Sequence, residues 1–216
     1  MKQHTIIGIT LYFKLLLFCI LLYWYYEKDY ILFMMKCVFN LSSNKSGVPT
    51  SSNIIRKIIE LINKLPNLQY TLIDFGSGDG DFINKIHNLN SIKKIIGIEL
   101  DTDQANNSTK QFSKIDSITI LNMDMVDYKY QQVPTIMYMY EPLWCLKKKD
   151  ALPIYHKVLK NISQITTSCY IIYVSGIYPI LDEDFFRLYP FKILHHSQVQ
   201  RLIGFNLNHI YVLKHK

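Results

Sequence analysis

The densest chemistry in the sequence lies in Asp74-Phe75-Gly76-Ser77-Gly78-Asp79-Gly80, with Glu99 nineteen residues beyond the last of those glycines. Glycines at alternate positions can take φ > 0 and let a ligand lie against bare backbone. A helix starting near Asp81 aims its unpaired N–H groups at the same spot. Such a turn cradles a carboxylate or a phosphate. A dinucleotide loop of the G-x-G-x-x-G type needs glycine at position 81, where Asp81 stands, and a phosphate loop needs a Gly-Lys-Ser/Thr that this run lacks. Pyrophosphate ligands therefore fit poorly. Glu99 closes the next apolar run, Ile95-Ile96-Gly97-Ile98, where in a doubly wound sheet a carboxylate can accept hydrogen bonds from both ribose hydroxyls. An adenosine ligand without a pyrophosphate meets both requirements.

Residues so far apart converge only if strands carry them to one sheet edge. Residues 71–75, 94–100, 135–141 and 169–175 read as short apolar strands, with a further one in the run 118–125 ahead of Asp124, and 169–175 is apolar on both faces as a doubly covered strand should be. Helix-compatible stretches alternate with them at 81–88, 102–112 and from a cap at Asp150 to about 162. A helix over 52–65 places Ile54, Ile58, Leu61, Ile62 and Leu65 on one face and stops at Pro66. That alternation predicts an α/β domain with a parallel sheet, closed by an antiparallel pair at 191–200 and 209–214.

The glycine run together with Ile98-Glu99-Leu100-Asp101 resembles the first two motifs of class I S-adenosylmethionine (SAM)-dependent methyltransferases. The resemblance covers most of the chain from about Gly47 and implies a Rossmann-like seven-stranded sheet with helices on both faces. It implies a SAM site formed by Asp74, Gly76, Ser77, Gly78, Gly80 and Glu99, in which the glycines line the methionine end and Glu99 holds the ribose. Asp124, after the third strand, would border the adenine. Met139-Tyr140-Glu141-Pro142-Leu143-Trp144 resembles the (Asp/Asn)-Pro-Pro-aromatic motif of amino methyltransferases, with Glu141 and Leu143 as departures. It marks Glu141 and Trp144 as catalytic candidates: a carboxylate can bind or deprotonate an ammonium, and an indole can stack on a base or hold a cation over its face.

Residues 6–26 form an almost unbroken apolar and aromatic run interrupted by Lys14. As a helix it would be ~31 Å long, the thickness of a bilayer core. A single transmembrane anchor with juxtamembrane segment (1–40), a Ser- and Asn-rich linker (41–50) and a methyltransferase domain (51–216) follow as the expected organisation. Residues 31–39 are too short to span and could lie along the interface. Lys28, Lys36 and Lys45 after the run, against Lys2 before it, put the domain on the cytoplasmic or matrix side, where SAM is available. An anchor ahead of this motif is similar to the membrane-associated lysine methyltransferases that modify ATP synthase subunit c and the adenine nucleotide translocase. The resemblance implies a protein lysine as acceptor and a membrane as partner. A nucleic-acid N-methyltransferase, and an inactive adaptor with the same fold, are the alternatives.

The net charge of +7 would suit anionic lipid or nucleic acid, and Lys147-Lys148-Lys149 is the densest basic run, read first as a solvated helix start. Four cysteines without C-x-x-C or His-flanked spacing indicate neither a disulfide framework nor a metal site. His195-His196 falls in an expected edge strand, as surface rather than as ligand.

Overall fold

Residues 50–143, 146–175, 180–200 and 207–215 are described by the computed structural model. The apolar runs at 6–26 and 31–39, nearly all of the linker, and Trp144 lie outside them. Among the described residues no helix is long and apolar enough to cross a membrane.

Helix α1 (Ser52–Ile62) buries Ile54, Ile55, Ile58, Leu61 and Ile62, the 3.6-residue stripe of its sequence. It ends earlier than the sequence pattern suggests. Lys64 N and Leu65 N donate to Leu61 O and Ile62 O, three residues back, so the last turn tightens before Pro66. Then come β1 (Tyr70–Phe75), α2 (Asp81–Ile86), β2 (Ile92–Glu99), α3 (Thr102–Phe112) and β3 (Ile118–Asn122). A short 3-10 turn (Met125–Asp127) leads to β4 (Thr135–Tyr140), α4 (Lys148–Ile162), β5 (Cys169–Val174), α5 (Glu183–Arg187), β6 (Phe191–Gln200) and β7 (Leu207–His215).

Helix α4 does not begin at Asp150. Asp150 N and Ala151 N both donate to Lys147 O, and Lys147 is the N-cap without a side-chain bond. Asp150 sits inside the first turn, where its charge complements the positive helix end instead of capping it.

The sheet has seven strands in the order β3-β2-β1-β4-β5-β7-β6. β1 to β5 are parallel, and β7 slots antiparallel between β5 and the edge strand β6. Period-2 alternation divides the core into two layers. Ile73, Phe75, Ile96, Met137, Met139 and Tyr173 pack with α4 and α5. Leu72, Ile95, Ile136, Tyr138 and Ile172 pack with α1, α2 and the end of α3. β5 is buried at every position, because both of its faces are covered. Each parallel strand leaves its C-terminal end on one edge of the sheet, so the loops after β1, β2, β3 and β4 gather there.

Candidate active site

The chain leaves β1 at Phe75 and hooks over the end of β2, with Gly76 N and Ser77 N both donating to Ile98 O at 2.8 and 3.1 Å. The hook is possible because Gly76, Gly78 and Gly80 take φ of 74°, 54° and 83°. Space demands glycine as well. A Cβ on Gly76 would stand 2.8 Å from Pro142 Cβ, and one on Gly80 would stand 2.4 Å from Phe112 Cε2. The first contact places the β1 turn against the β4 loop; the second lets α2 start directly over α3.

Glu99 ends β2 and is bound to that turn. Its Oε2 accepts from Gly78 N at 2.8 Å and its Oε1 from Asp101 N at 2.8 Å. Each carboxylate oxygen has two lone pairs, so both keep one for an outside donor. Asp101 in turn caps α3, accepting from Asp103 N and Gln104 N. Asn122, opposite Glu99 in the β2–β3 register, donates its amide to Glu99 O and Leu100 O and accepts from Thr102 Oγ1. Sequence pattern alone assigns no role to Asn122 or Leu100. Leu100 follows the acid and is 68% exposed, an apolar side chain left bare beside polar groups. The signal for both is their place at the ends of the second and third strands. Asp124, exposed beyond β3, accepts from Val126 N at 2.9 Å and caps the 3-10 turn.

Asp74 lies beneath the turn, 3% exposed, between Gly97 of β2 and Tyr138 of β4. Burial, and secondarily the nearby Glu99 charge, pushes its carboxyl up to about 8, so it is protonated at neutral pH. Ser77 is buried as well. Its Oγ has no hydrogen-bond partner and sits 2.8 Å from where a Cβ on Gly97 would be.

The β4 loop differs from a free catalytic turn. Glu141 takes φ = 36°, the one non-glycine residue with positive φ among the described residues, a strained conformation that functional loops often hold. Its carboxylate is buried, and Oε1 accepts from Tyr173 OH at 2.9 Å and from Ile180 N at 3.0 Å. Burial first, then Tyr155 and the Glu141 charge, raise the Tyr173 hydroxyl well above its ordinary value, which keeps it a donor. Glu141 thus ties the β4 loop to the segment after β5. Pro142 stays at the glycine turn. Beside them Asn208 Nδ2, at the start of β7, donates to Tyr140 OH at 3.3 Å and to Ser175 O.

Acidic side chains crowd this edge. Asp79, Asp101, Asp103, Asp124, Asp127 and Asp182 all stand on its loops or helix starts, exposed or half-buried. Lys147, Lys148 and Lys149 open α4 on the same edge, with Lys148 Nζ 3.9 Å from Asp182. The two adjacent histidines are not alike. His195 has a buried Nε2 without a partner, whereas His196 bonds His209 at 2.9 Å and meets Glu183 at 3.2 Å. Among the described residues no group of three or more His, Cys, Asp or Glu could hold a metal ion.

No protein-family model matches the chain, and no curated protein matches its sequence. Solved structures do match. A SAM-dependent methyltransferase from Leishmania major superposes with a TM-score of 0.60 at 10% identity, over 75% of this chain and 72% of that one. Magnesium protoporphyrin IX methyltransferase from Synechocystis PCC 6803, with bound SAM, gives 0.55 at 12% identity over 75% and 78%. The 23S rRNA methyltransferase ErmE gives 0.55 at 14% identity over 78% and 69%. These likenesses show the Rossmann-like methyltransferase fold.

Proposed function

We propose that this chain is a membrane-anchored SAM-dependent methyltransferase acting on a protein lysine. The observation that carries the cofactor is the glycine turn bound to Glu99: three positive-φ glycines offer bare backbone, and the carboxylate at the neighbouring strand end keeps a lone pair on each oxygen. The residues present fit SAM. Gly76, Gly78 and Gly80 would take the methionine end, Glu99 the ribose diol, and Asp124 would border the adenine, with the exposed Leu100 as an apolar side chain for its ring. SAM supplies a methyl group already activated on a sulfonium. The protein's part is alignment, exclusion of water and a neutral nucleophile.

For a lysine acceptor the protein must hold the ε-amine in line and favour loss of its proton. The acidic edge attracts the cationic side chain, and partial burial beside a second positive centre lowers its pKa. Pro142, packed on Gly76, sets the β4 loop at the transfer position, and Trp144 is the residue whose π face is proposed to hold the cationic acceptor. Glu141 orients that loop through Tyr173 and Ile180, and its carboxylate is the group proposed to bind the amine. Residues 6–26 would hold the domain at a membrane, on its cytoplasmic or matrix side.

Titrating the full chain in detergent with SAM tests the cofactor, alongside Gly78→Arg, which fills the turn. Micromolar binding lost in the variant supports the site; no binding by folded wild type refutes it. Incubation with methyl-labelled SAM and membrane proteins should then place label in methyl-lysine. A second reading, nucleic-acid N-methylation, draws on the +7 charge and the fold shared with an rRNA methyltransferase; label in added RNA would establish it. SAM binding without transfer to either would mark an adaptor.

A further inference from the structure

In an alternating strand–helix fold the strand starts and the helix ends collect on the edge opposite the glycine turn. Here that edge is basic. Lys93 stands near the start of β2, Lys110 in the last turn of α3, Lys114 just after it, and Lys160 in the last turn of α4. Lys192 and Lys214, at the lower ends of β6 and β7, are register partners across the edge hairpin. All six are exposed. On that edge the described acids are Asp116, beside Lys114, and Glu60, which Lys57 and Lys64 hold at 2.9 and 2.5 Å. Complementing helix dipoles accounts for Lys110 and Lys160. It does not account for Lys93 or Lys114, nor for Lys192 opposite Lys214, a like-charge cross-strand pair that costs stability.

We propose that this basic edge is a docking face for an anionic lipid bilayer. The lysines reach from Lys114 ahead of β3 at one side of the sheet to Lys192 on β6 at the other, ~29 Å at the usual strand spacing, so they suit a broad charged plane better than a single groove-bound strand. The chain itself carries an apolar run of bilayer length at 6–26. A nucleic acid that also had to reach the transfer site would meet the acidic edge on the far side of the sheet. Docked this way, the domain turns its glycine turn and β4 loop away from the bilayer, toward acceptor segments that project from the membrane. Each lysine near an anionic surface strengthens association about fivefold at moderate salt, and the effect fades as the Debye length shrinks.

The occupant rests on the membrane association proposed above, and flotation of the full chain with phosphatidylcholine vesicles tests that association by itself. The face is tested by lysine acetylation and mass spectrometry on the same chain, in phosphatidylcholine vesicles with and without 30% phosphatidylserine. Lys93, Lys110, Lys114 and Lys160 should be acetylated at least threefold more slowly when phosphatidylserine is present. The protection should vanish at 0.5 M salt, and Lys147–Lys149 should be unaffected. A triple variant, Lys93→Gln/Lys114→Gln/Lys192→Gln, should lose the protection at Lys110 and Lys160 while its SAM affinity stays at the wild-type value and its unfolding midpoint does not fall. Equal acetylation in both vesicles, protection of Lys147–Lys149 instead, or stronger protection by a single-stranded RNA than by phosphatidylserine would each overturn the proposal.

Discussion

Replacing Asp74 with Asn should change how the stability of this fold responds to pH. The carboxyl is 3% exposed and its pKa is pushed from 3.8 up to about 8, by burial first and by Glu99 second. Between those values the folded chain keeps a proton that the unfolded chain has released. Bound protons are more numerous in the native state, so stability must fall as pH rises from about 4 through about 8. A tenfold change in proton affinity is worth ~1.4 kcal/mol, and the roughly ten-thousandfold tighter hold of the folded chain on this proton sets a ceiling of ~6 kcal/mol. Relaxation and water entry around a buried carboxylate reduce this, and about 2–4 kcal/mol is expected between pH 5 and pH 9. Asn has nearly the same shape and no charge to desolvate. Urea unfolding of the full chain in detergent at pH 5, 7 and 9, for wild type and Asp74→Asn, should show the variant gaining on wild type by that amount at pH 9 and little at pH 5. Burial lowers the pKa of His195 and His209, which gives stability the opposite slope near pH 6.5, but both proteins share that contribution and it cancels in the difference. Parallel stability curves for the two proteins would refute the argument.

Glu99→Gln removes a charged acceptor and should weaken SAM binding by ~1.5–3 kcal/mol, roughly 10- to 150-fold by calorimetry; unchanged affinity would remove Glu99 from the ribose site. Gly80→Ala places a methyl 2.4 Å from Phe112 at a φ of +83° and should cost ~1–3 kcal/mol in urea unfolding. Phe112→Leu in the same chain should recover part of that loss, and a midpoint equal to wild type in Gly80→Ala alone would show that the ring is free to move. Tyr173→Phe takes one donor from the buried Glu141 carboxylate and should destabilise by ~1–3 kcal/mol; an unshifted thermal midpoint would mean that the bond does not hold the β4 loop.

The strand and helix order is legible in the sequence because burial on one or both faces writes a period into the residues. The helix over α1, the alternation through β5 and the closing antiparallel pair all follow from that period. The ends are less legible. The α1 terminus depends on a tightened last turn, and the α4 start on a backbone carbonyl at Lys147, neither of which a side-chain pattern reveals. The glycine turn is legible for a different reason: positive φ at three alternate positions can be met without strain only by glycine.

By itself, then, the sequence determined the alternating α/β order, the glycine turn and the acid that follows it, since periodicity and backbone permissiveness are local properties. Tertiary structure alone decided what each acid does. Asp74 and Glu99 are both carboxylates near one turn, yet packing between Gly97 and Tyr138 leaves the first protonated, while the second is held by Gly78 N and Asp101 N. Glu141 is drawn into the contact between the β4 loop and the segment after β5 by Tyr173 and Ile180, 32 and 39 residues away. The separation of acidic and basic edges is likewise invisible along the chain. Desolvation and charge depend on neighbours in space, and only the folded sheet brings those neighbours together.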